Sequence, residues 1–461
     1  MFEAVGHIMK RFPRRFVRVF SRILLLVSLA GFIAFIGVHS DFSPLSSQFR
    51  LKFISGGDHK ANNERENIQV DKNEIHPVIS WEKIKEKLTF TGTSELSAKQ
   101  IVKKNYIQLG EIMGKPIDLP KVDNLVGPPE NAENYERANG TLMILTRNRD
   151  AGAVVYTVKQ IEEHFNKKFH YPYVFLNEEK FTERFKSRIK NYVSGECYFE
   201  QVAPEDWVQP EFIDKNKQNV GMLNLARENV AYARKLSYHN MCRYYSRGFY
   251  NHPRMKQFRY YWRFEPGTDY FCDIDYDVFK FMQDNDKTYG FTISIYDIRQ
   301  SLRTIWPDTL EFVEKHPEYV NPNGAMSWLT NSLQKPENAE ETHGYSTCHF
   351  WSNFEIADMN FFRSKPYSEW VEYLDKAGGF YYERWGDAPV HTIGLSLFAD
   401  RKRIHWFRDI GYRHVPYTNC PNSEKCSRCT PGKFTYMNLW SENCLTNWWN
   451  LEMDDDQKSL Y

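Results

Sequence analysis

The densest run of chemistry-bearing side chains lies between Tyr260 and Asp297. There Glu265, Asp269, Asp273, Asp275 and Asp277 sit among aromatic and apolar strand formers. Strand-edge carboxylates suit a hard divalent cation, because Mg2+ and Mn2+ prefer oxygen ligands and commonly share them with substrate phosphates. Asp273, Asp275 and Asp277 alternate, so an extended backbone would put all three on one face. D-x-D is a short pattern, however, and Asp275 and Asp277 serve equally well as N-terminal acids of a helix over Val278–Gln283.

Four other segments combine reactive groups. In Cys348–Asp358, Glu355 stands among aromatic and apolar residues. A carboxylate there is desolvated unless hydrogen-bonded, which makes it a candidate nucleophile or acid/base, or else a buried acid neutralised by Arg363 or a backbone amide. Glu383 and Asp387 are four residues apart, with Gly386 between them allowing a loop as readily as a helix. In Asp409–Tyr417, His414 falls in a turn and offers a neutral nitrogen ligand, although a lone loop histidine is more often plain polar surface. Ser237–Tyr245 brings hydroxyl, imidazole, amide and guanidinium together. Arg243 could grip a phosphate bidentately or serve an interhelical junction.

These groups need a scaffold. Leu142–Thr146 reads as a buried strand, Val158–Phe165 as an amphipathic helix and Tyr173–Leu176 as a second buried strand. Strand, helix, strand in about 35 residues is the start of a parallel α/β sheet, whose ligands sit at the carboxyl ends of the strands. That places Arg147 and Asn148 at a candidate nucleotide pocket, with a surface turn as the alternative. Further on, the spacing predicts a helix over Leu223–Leu236, strands over Tyr260–Glu265, Tyr270–Ile274 and Gly290–Tyr296, and a helix over Val390–Leu397. Little pattern marks residues 178–215 beyond helix and loop.

The 461 residues carry a net charge of +1, so no global field argues for nucleic acid. Half of the eight cysteines (Cys420, Cys426, Cys429 and Cys444) fall in a loop-rich C-terminal end, which reads as disulfide stapling in an oxidising compartment. Cys426-x-x-Cys429 could be half a zinc site, but no second pair is spaced to complete it. Abundant aromatics (12 Trp, 28 Tyr, 33 Phe) are compatible with stacking on sugar rings, and equally with a large aromatic core.

Residues 1–22 form a basic segment, and Ile23–Val38 a charge-free apolar run that spans about 24 Å as a helix. No A-x-A site follows, so a signal anchor is favoured over a cleaved signal peptide. The positive-inside rule then puts the N-terminus in the cytosol and the remainder in a lumen, as a single-pass type II membrane protein. The polar stretch 39–118 reads as a stem, and 119–461 as the catalytic domain. Asn139-Gly140-Thr141, the sole N-x-S/T sequon, suits a lumenal location.

Several of these segments together resemble the fungal Golgi α-1,2-mannosyltransferases of glycosyltransferase family 15. The matching stretches are Ser237–Arg243, YWRFEP, FCDIDYDVFKFMQ, KTYGFTISIYD, CHFWSNFEIA, GGFYYERWGDAPVH and DIGYRHVPY, spread over roughly residues 120–420. The Cys-rich end, YTNCP through PGKFT, is similar to one subgroup. The resemblance implies a GT-A-like α/β fold with a mixed, mainly parallel central sheet flanked by helices. It also implies Mn2+ as cofactor, GDP-mannose as donor, a mannosylated glycoprotein (O- or N-linked) as acceptor, and retention at the transferred mannose. The family's metal motif, Glu-Pro-Asp, falls on Glu265-Pro266-Gly267, so the first carboxylate is kept and the third position is not; Asp269 is the nearest substitute.

By the same resemblance His414 is the second metal ligand, Tyr238 contacts the donor phosphates and Glu355 is the proposed nucleophile. Arg147 lies in the guanosine pocket, and Asp387 faces a sugar. Two rival readings remain at this level. A glycosidase also needs paired carboxylates but no diphosphate site, and a catalytically impaired glycan-binding relative is suggested by Gly267.

Overall fold

Residues 76–461 are described by the computed structural model. The expected cytoplasmic tail, signal anchor and first half of the stem lie outside the described residues. Among the described residues no helix is long and apolar enough to cross a membrane.

The β-branched and aromatic runs form a central seven-stranded sheet. Its strands in chain order are β1 (Gly140–Leu145), β2 (Tyr173–Asn177), β3 (Cys197–Gln201), β4 (Tyr260–Arg263), β6 (Tyr289–Phe291), β9 (Glu355–Asp358) and β10 (Ile404–Trp406). The spatial order is β10-β6-β9-β4-β1-β2-β3. Neighbours pair in parallel except around β9, which runs antiparallel to both β4 and β6. The architecture is therefore mixed α/β with a largely parallel sheet, as the strand–helix–strand opening implied. Nearly every residue of β1, β2, β4, β6 and β9 is buried, as a sheet covered on both faces requires.

A three-stranded antiparallel sheet joins β5 (Asp269–Tyr270), β11 (Tyr412–His414) and β12 (Tyr417–Asn419), and a hairpin-like pair joins β7 (Ser294–Tyr296) and β8 (Cys348–Phe350). Two disulfides, Cys272–Cys426 and Cys348–Cys444, tie the C-terminal end to earlier parts of the chain, and a third, Cys420–Cys429, closes a loop within that end. Cys426 and Cys429 are thus spent in separate bridges, and the zinc alternative falls away. Cys197 and Cys242 are free thiols.

Four local expectations change. Helix formation over 223–236 is split into Lys215–Arg227 and Leu236–Arg247, because Asn229 and Tyr232 both adopt positive φ (60° each) and break the ladder between them. Strand β3 was not legible because it is a half-exposed edge strand without alternation. Asp273, Asp275 and Asp277 do not share a strand face, since β5 stops at Tyr270 and each acid has its own structural partner. Asp273 meets His164 Nδ1 at 2.9 Å, and Asp275 meets Lys168 at 2.7 Å and Lys425 at 3.0 Å. Asp277 caps the helix Val278–Asp284 through the amides of Phe279 and Lys280, and also accepts from the Tyr135 and Tyr171 hydroxyls.

The fourth change concerns the stem. Within the stretch read as stem, helices Trp81–Lys87 and Ala98–Gly114 bury Ile84, Leu109, Ile112 and Met113 in the main core. Asn105 is buried as well, donating to Gln334 and Asn447. The globular unit therefore begins well before residue 119. Apolar residues at 109, 112 and 113 form one helical stripe, and the polar surroundings of that stripe hid it.

Candidate active site

Topology brings the candidate carboxylates together. Strands β1 and β4 are parallel and end at the same sheet edge, and antiparallel β9 starts there, with Glu355 directly opposite Arg263 of β4 and Phe291 of β6. Arg147, Glu265 and Glu355 accordingly lie along one edge, where ligands of such sheets bind.

Arg263 is the hub of this edge, and sequence reasoning gave it no role. It is almost fully buried, and its guanidinium lies over the Tyr245 ring at 3.5 Å. Nη2 donates to Glu265 Oε1 at 2.8 Å and Nη1 to Asp387 Oδ2 at 2.5 Å; Nη1 also lies 3.7 Å from Glu355 Oε1. An arginine inside an apolar strand, two residues before an acid on the same face, was the available signal.

Glu355 is completely buried. Its neutraliser is not Arg363, whose guanidinium is occupied by the carbonyls of Tyr250, Met255 and Phe258. Instead Oε2 accepts from the Tyr289 hydroxyl and from His391 Nδ1, both at 3.0 Å, while Oε1 has no hydrogen-bond partner. Asp387 is the first residue of helix Asp387–Phe398, so it lies at the positive end of the helix dipole. Burial alone would raise its carboxyl, but Arg263 and His391 outweigh burial and hold it below the usual range. Its Oδ2 also accepts from Ser352 at 2.7 Å. Glu383 is not part of this cluster. It ends the preceding short helix and accepts from Trp385 Nε1 and the Thr304 amide.

The turn Glu265–Thr268 is held rigidly. Thr157 Oγ1 donates to the Glu265 carbonyl at 3.1 Å and accepts from the amides of Gly267 (2.9 Å) and Thr268 (3.1 Å). Gly267 takes φ of 81°, a left-handed geometry that glycine adopts without Cβ strain. In the antiparallel pairing Tyr412↔Tyr270 and Arg413↔Asp269, the next residue, His414, comes opposite Thr268. His414 thus stands beside the turn that carries Glu265, and its ring packs edge-on against Trp351.

The donors present fit a cation that completes its shell with substrate oxygens. Glu265 has Oε1 on Arg263 and leaves Oε2 for a ligand. His414 Nδ1 lies 3.2 Å from the Val415 carbonyl, so Nδ1 carries the proton and Nε2 the lone pair. Among the described residues no group of three or more His, Cys, Asp or Glu could hold a metal. Asp269 does not fit the part of a second carboxylate ligand, because its oxygens are held by Tyr156 (2.5 Å) and the Arg413 fork (2.7 and 2.8 Å).

The donor-side candidates divide. Arg147 follows β1 with a part-exposed side chain that pairs with Asp150 at 2.9 Å. Tyr238 is stacked on Tyr232 at 4.7 Å and receives Arg384 Nη1 at 3.3 Å. Arg384, in turn, reaches Ser301 and Asp297. Arg243 is excluded as a phosphate ligand: it is buried, and its fork is closed on Asp375 at 2.6 and 2.9 Å. The junction alternative holds for it.

Comparison with known proteins gives the family. The family described as glycolipid 2-alpha-mannosyltransferase matches residues 97–453. The probable mannosyltransferase KTR4 of Saccharomyces cerevisiae is 47% identical over 359 residues, covering 76% of this chain and 77% of that protein. The O-glycoside alpha-1,2-mannosyltransferase omh1 of Schizosaccharomyces pombe is 42% identical, covering 68% of this chain and 80% of that protein. A crystal structure of the Saccharomyces cerevisiae mannosyltransferase Ktr4p in complex with GDP superposes with a TM-score of 0.80 at 44% identity, covering 83% of this chain and 99% of that one. The Mn/GDP form of core-mannan synthase A from Aspergillus fumigatus gives 0.72 at 46% identity, covering 74% and 93%.

Proposed function

The chain belongs to the glycolipid 2-alpha-mannosyltransferase family, and we propose that it is a retaining α-1,2-mannosyltransferase. It moves mannose from GDP-mannose to mannosyl glycans of glycoproteins, O-linked, N-linked or both. The observation that carries this reading is the charged cluster at the carboxyl edge of the sheet: Glu355 and Asp387 held around Arg263, with Glu265 on the adjoining rigid turn. Relatives crystallised with GDP and with Mn/GDP support the donor and the cofactor. The fold is of the GT-A kind.

Glu265 and His414 would hold Mn2+, which when bound supplies Lewis-acid neutralisation of the diphosphate leaving group. The chain's own residues do the rest. Arg147, at the end of β1, faces the guanosine, and the Tyr238 hydroxyl meets the phosphates. Glu355 presents Oε1 to the mannosyl unit. Retention requires either attack by that oxygen on the anomeric carbon or departure and attack on one face, and in both routes a negative charge beside the carbon favours its oxocarbenium character. Arg263 keeps Glu265, Glu355 and Asp387 close together without mutual repulsion, and Asp387 with Ser352 fixes the arginine.

We further assign Ile23–Val38 to a type II signal anchor, with the enzyme domain in the Golgi lumen. The basic N-terminal segment and three disulfides support that placement. The test is turnover by the full-length chain with GDP-mannose, Mn2+ and a panel of mannosyl acceptors, with product linkage determined. α-1,2 product formation that EDTA abolishes is expected. Mannoside hydrolysis without nucleotide, or no GDP release with any divalent metal, refutes the reading.

A further inference from the structure

His391, one helical turn beyond Asp387, contacts Glu355 but has no part in the chemistry described so far. Its ring is fully buried among Phe249, Phe362 and Tyr367. Both nitrogens face acceptors: Nδ1 lies 3.0 Å from Glu355 Oε2, and Nε2 lies 3.0 Å from the Tyr245 carbonyl. A neutral imidazole has one N–H and one lone pair, so only the imidazolium donates to both a carboxylate and a carbonyl.

The surroundings favour that charge. Glu355 faces the ring from β9 and Asp387 from the same helix. Arg263, on β4, faces Glu355 Oε1, the Tyr289 hydroxyl donates to the same Oε2 as His391, and Tyr261 also stands beside the carboxylate. Tyr367 packs from helix Lys365–Ala377. Burial disfavours a charged imidazole, yet Glu355 and Asp387 outweigh it and hold His391 above its ordinary value. Arg263, Glu265, Glu355 and Asp387 together carry two net negative charges. A charged His391 reduces that to one where Arg263, Glu355 and Asp387 are buried.

We propose that His391, as an imidazolium, is the positioning residue that ties down Glu355 Oε2, so that Oε1 is the oxygen offered to the mannosyl unit. Tyr289 completes the grip on Oε2. The asymmetry of the carboxylate supports this: Oε2 accepts from two donors at 3.0 Å, whereas Oε1 faces Arg263 Nη1 at 3.7 Å. The role of Oε1 rests on the transferase reading; the charge state of His391 does not.

Two measurements on the full-length chain separate the two. The first is nitrogen NMR of histidine-labelled protein at neutral pH, where an ordinary imidazole is mostly neutral. One histidine should show both ring nitrogens protonated. Its signal should vanish in His391→Gln and turn neutral in Glu355→Gln, so assignment does not depend on one variant folding. A singly protonated His391 overturns the proposal, because a neutral ring cannot donate from both nitrogens.

The second is kinetic. His391→Gln should lower kcat about 100-fold with KM for GDP-mannose changed less than about twofold, as expected when a charge-orienting contact is lost. Wild-type kcat should fall as pH rises and His391 loses its proton, and the variant should lack that limb. In a Glu355→Gln background the same change should cost less than about threefold. A full 100-fold loss in that background, or an unchanged pH profile, overturns it. A wild-type chain that transfers nothing refutes the function and leaves the NMR result standing.

Discussion

Removing Arg263 tests whether the carboxylate cluster is held as described. In Arg263→Met a side chain of similar length loses its charge and all five donors, leaving Glu265, Asp387 and Glu355 without their shared cation. Asp387 and Glu355 are 5% and 0% exposed, so neither can turn to water. Breaking a buried pair by removing one partner costs about 3–5 kcal/mol. A domain of ordinary stability, about 5–15 kcal/mol, would lose a fifth or more of its margin.

Much of that cost is unpaired charge and not a missing contact, so neutralising an acid should return part of it. The double variant Arg263→Met/Asp387→Asn should be about 2 kcal/mol more stable than the sum of the single changes predicts. Arg263→Lys keeps the charge but not the fork that spans Glu265 and Asp387, and should fall between wild type and the methionine variant. Equilibrium urea unfolding followed by tryptophan fluorescence, in EDTA, reads all five proteins, the Asp387→Asn single variant included. A loss below about 1 kcal/mol with strictly additive double-variant behaviour would refute the reasoning.

Helices Trp81–Lys87 and Ala98–Gly114 bury Ile84, Leu109, Ile112 and Met113, worth about 1.5–3 kcal/mol each; a chain starting at residue 119 should therefore melt far below one starting at residue 76, and equal melting temperatures would count against the boundary drawn here. Burial and Lys287 push His405 well below its ordinary value, so it stays neutral in the fold while the unfolded chain takes up a proton below about pH 6.5. The stability it contributes is complete above that pH and is lost as pH falls, so wild type should lose up to about 1.4 kcal/mol per pH unit relative to His405→Gln between pH 6.5 and 5.5; a pH-independent difference in urea unfolding would contradict this. At Gly267 the nearest atom to a new Cβ is 4.0 Å away, so Gly267→Asp meets only the backbone cost of φ 81°, about 1–2 kcal/mol. It restores a second carboxylate beside Glu265 and should lower the Mn2+ concentration for half-maximal activity about tenfold, as titration of turnover with Mn2+ will show.

The sequence by itself determined the parallel opening of the sheet, since Leu142–Thr146, the following amphipathic helix and Tyr173–Leu176 are local patterns with a single structural meaning. It also determined Glu265 as an acid at a strand end and Glu355 as an acid among apolar residues, because composition within a few neighbours decides both. What it could not decide is which charges meet. Asp273, Asp275 and Asp277 have ideal spacing for a strand face, yet β5 ends at Tyr270 and each acid finds a partner from elsewhere: His164, Lys168 with Lys425, and the helix it caps. Arg243 has the chemistry of a phosphate ligand, and Asp375, 132 residues away, consumes it. Arg263 and His391 became functional candidates only when antiparallel β9 put Glu355 opposite Arg263 and packing brought helix Asp387–Phe398 against both. A carboxylate's role depends on the charges and solvent within a few ångströms of it, and at this site the tertiary fold alone supplies those neighbours.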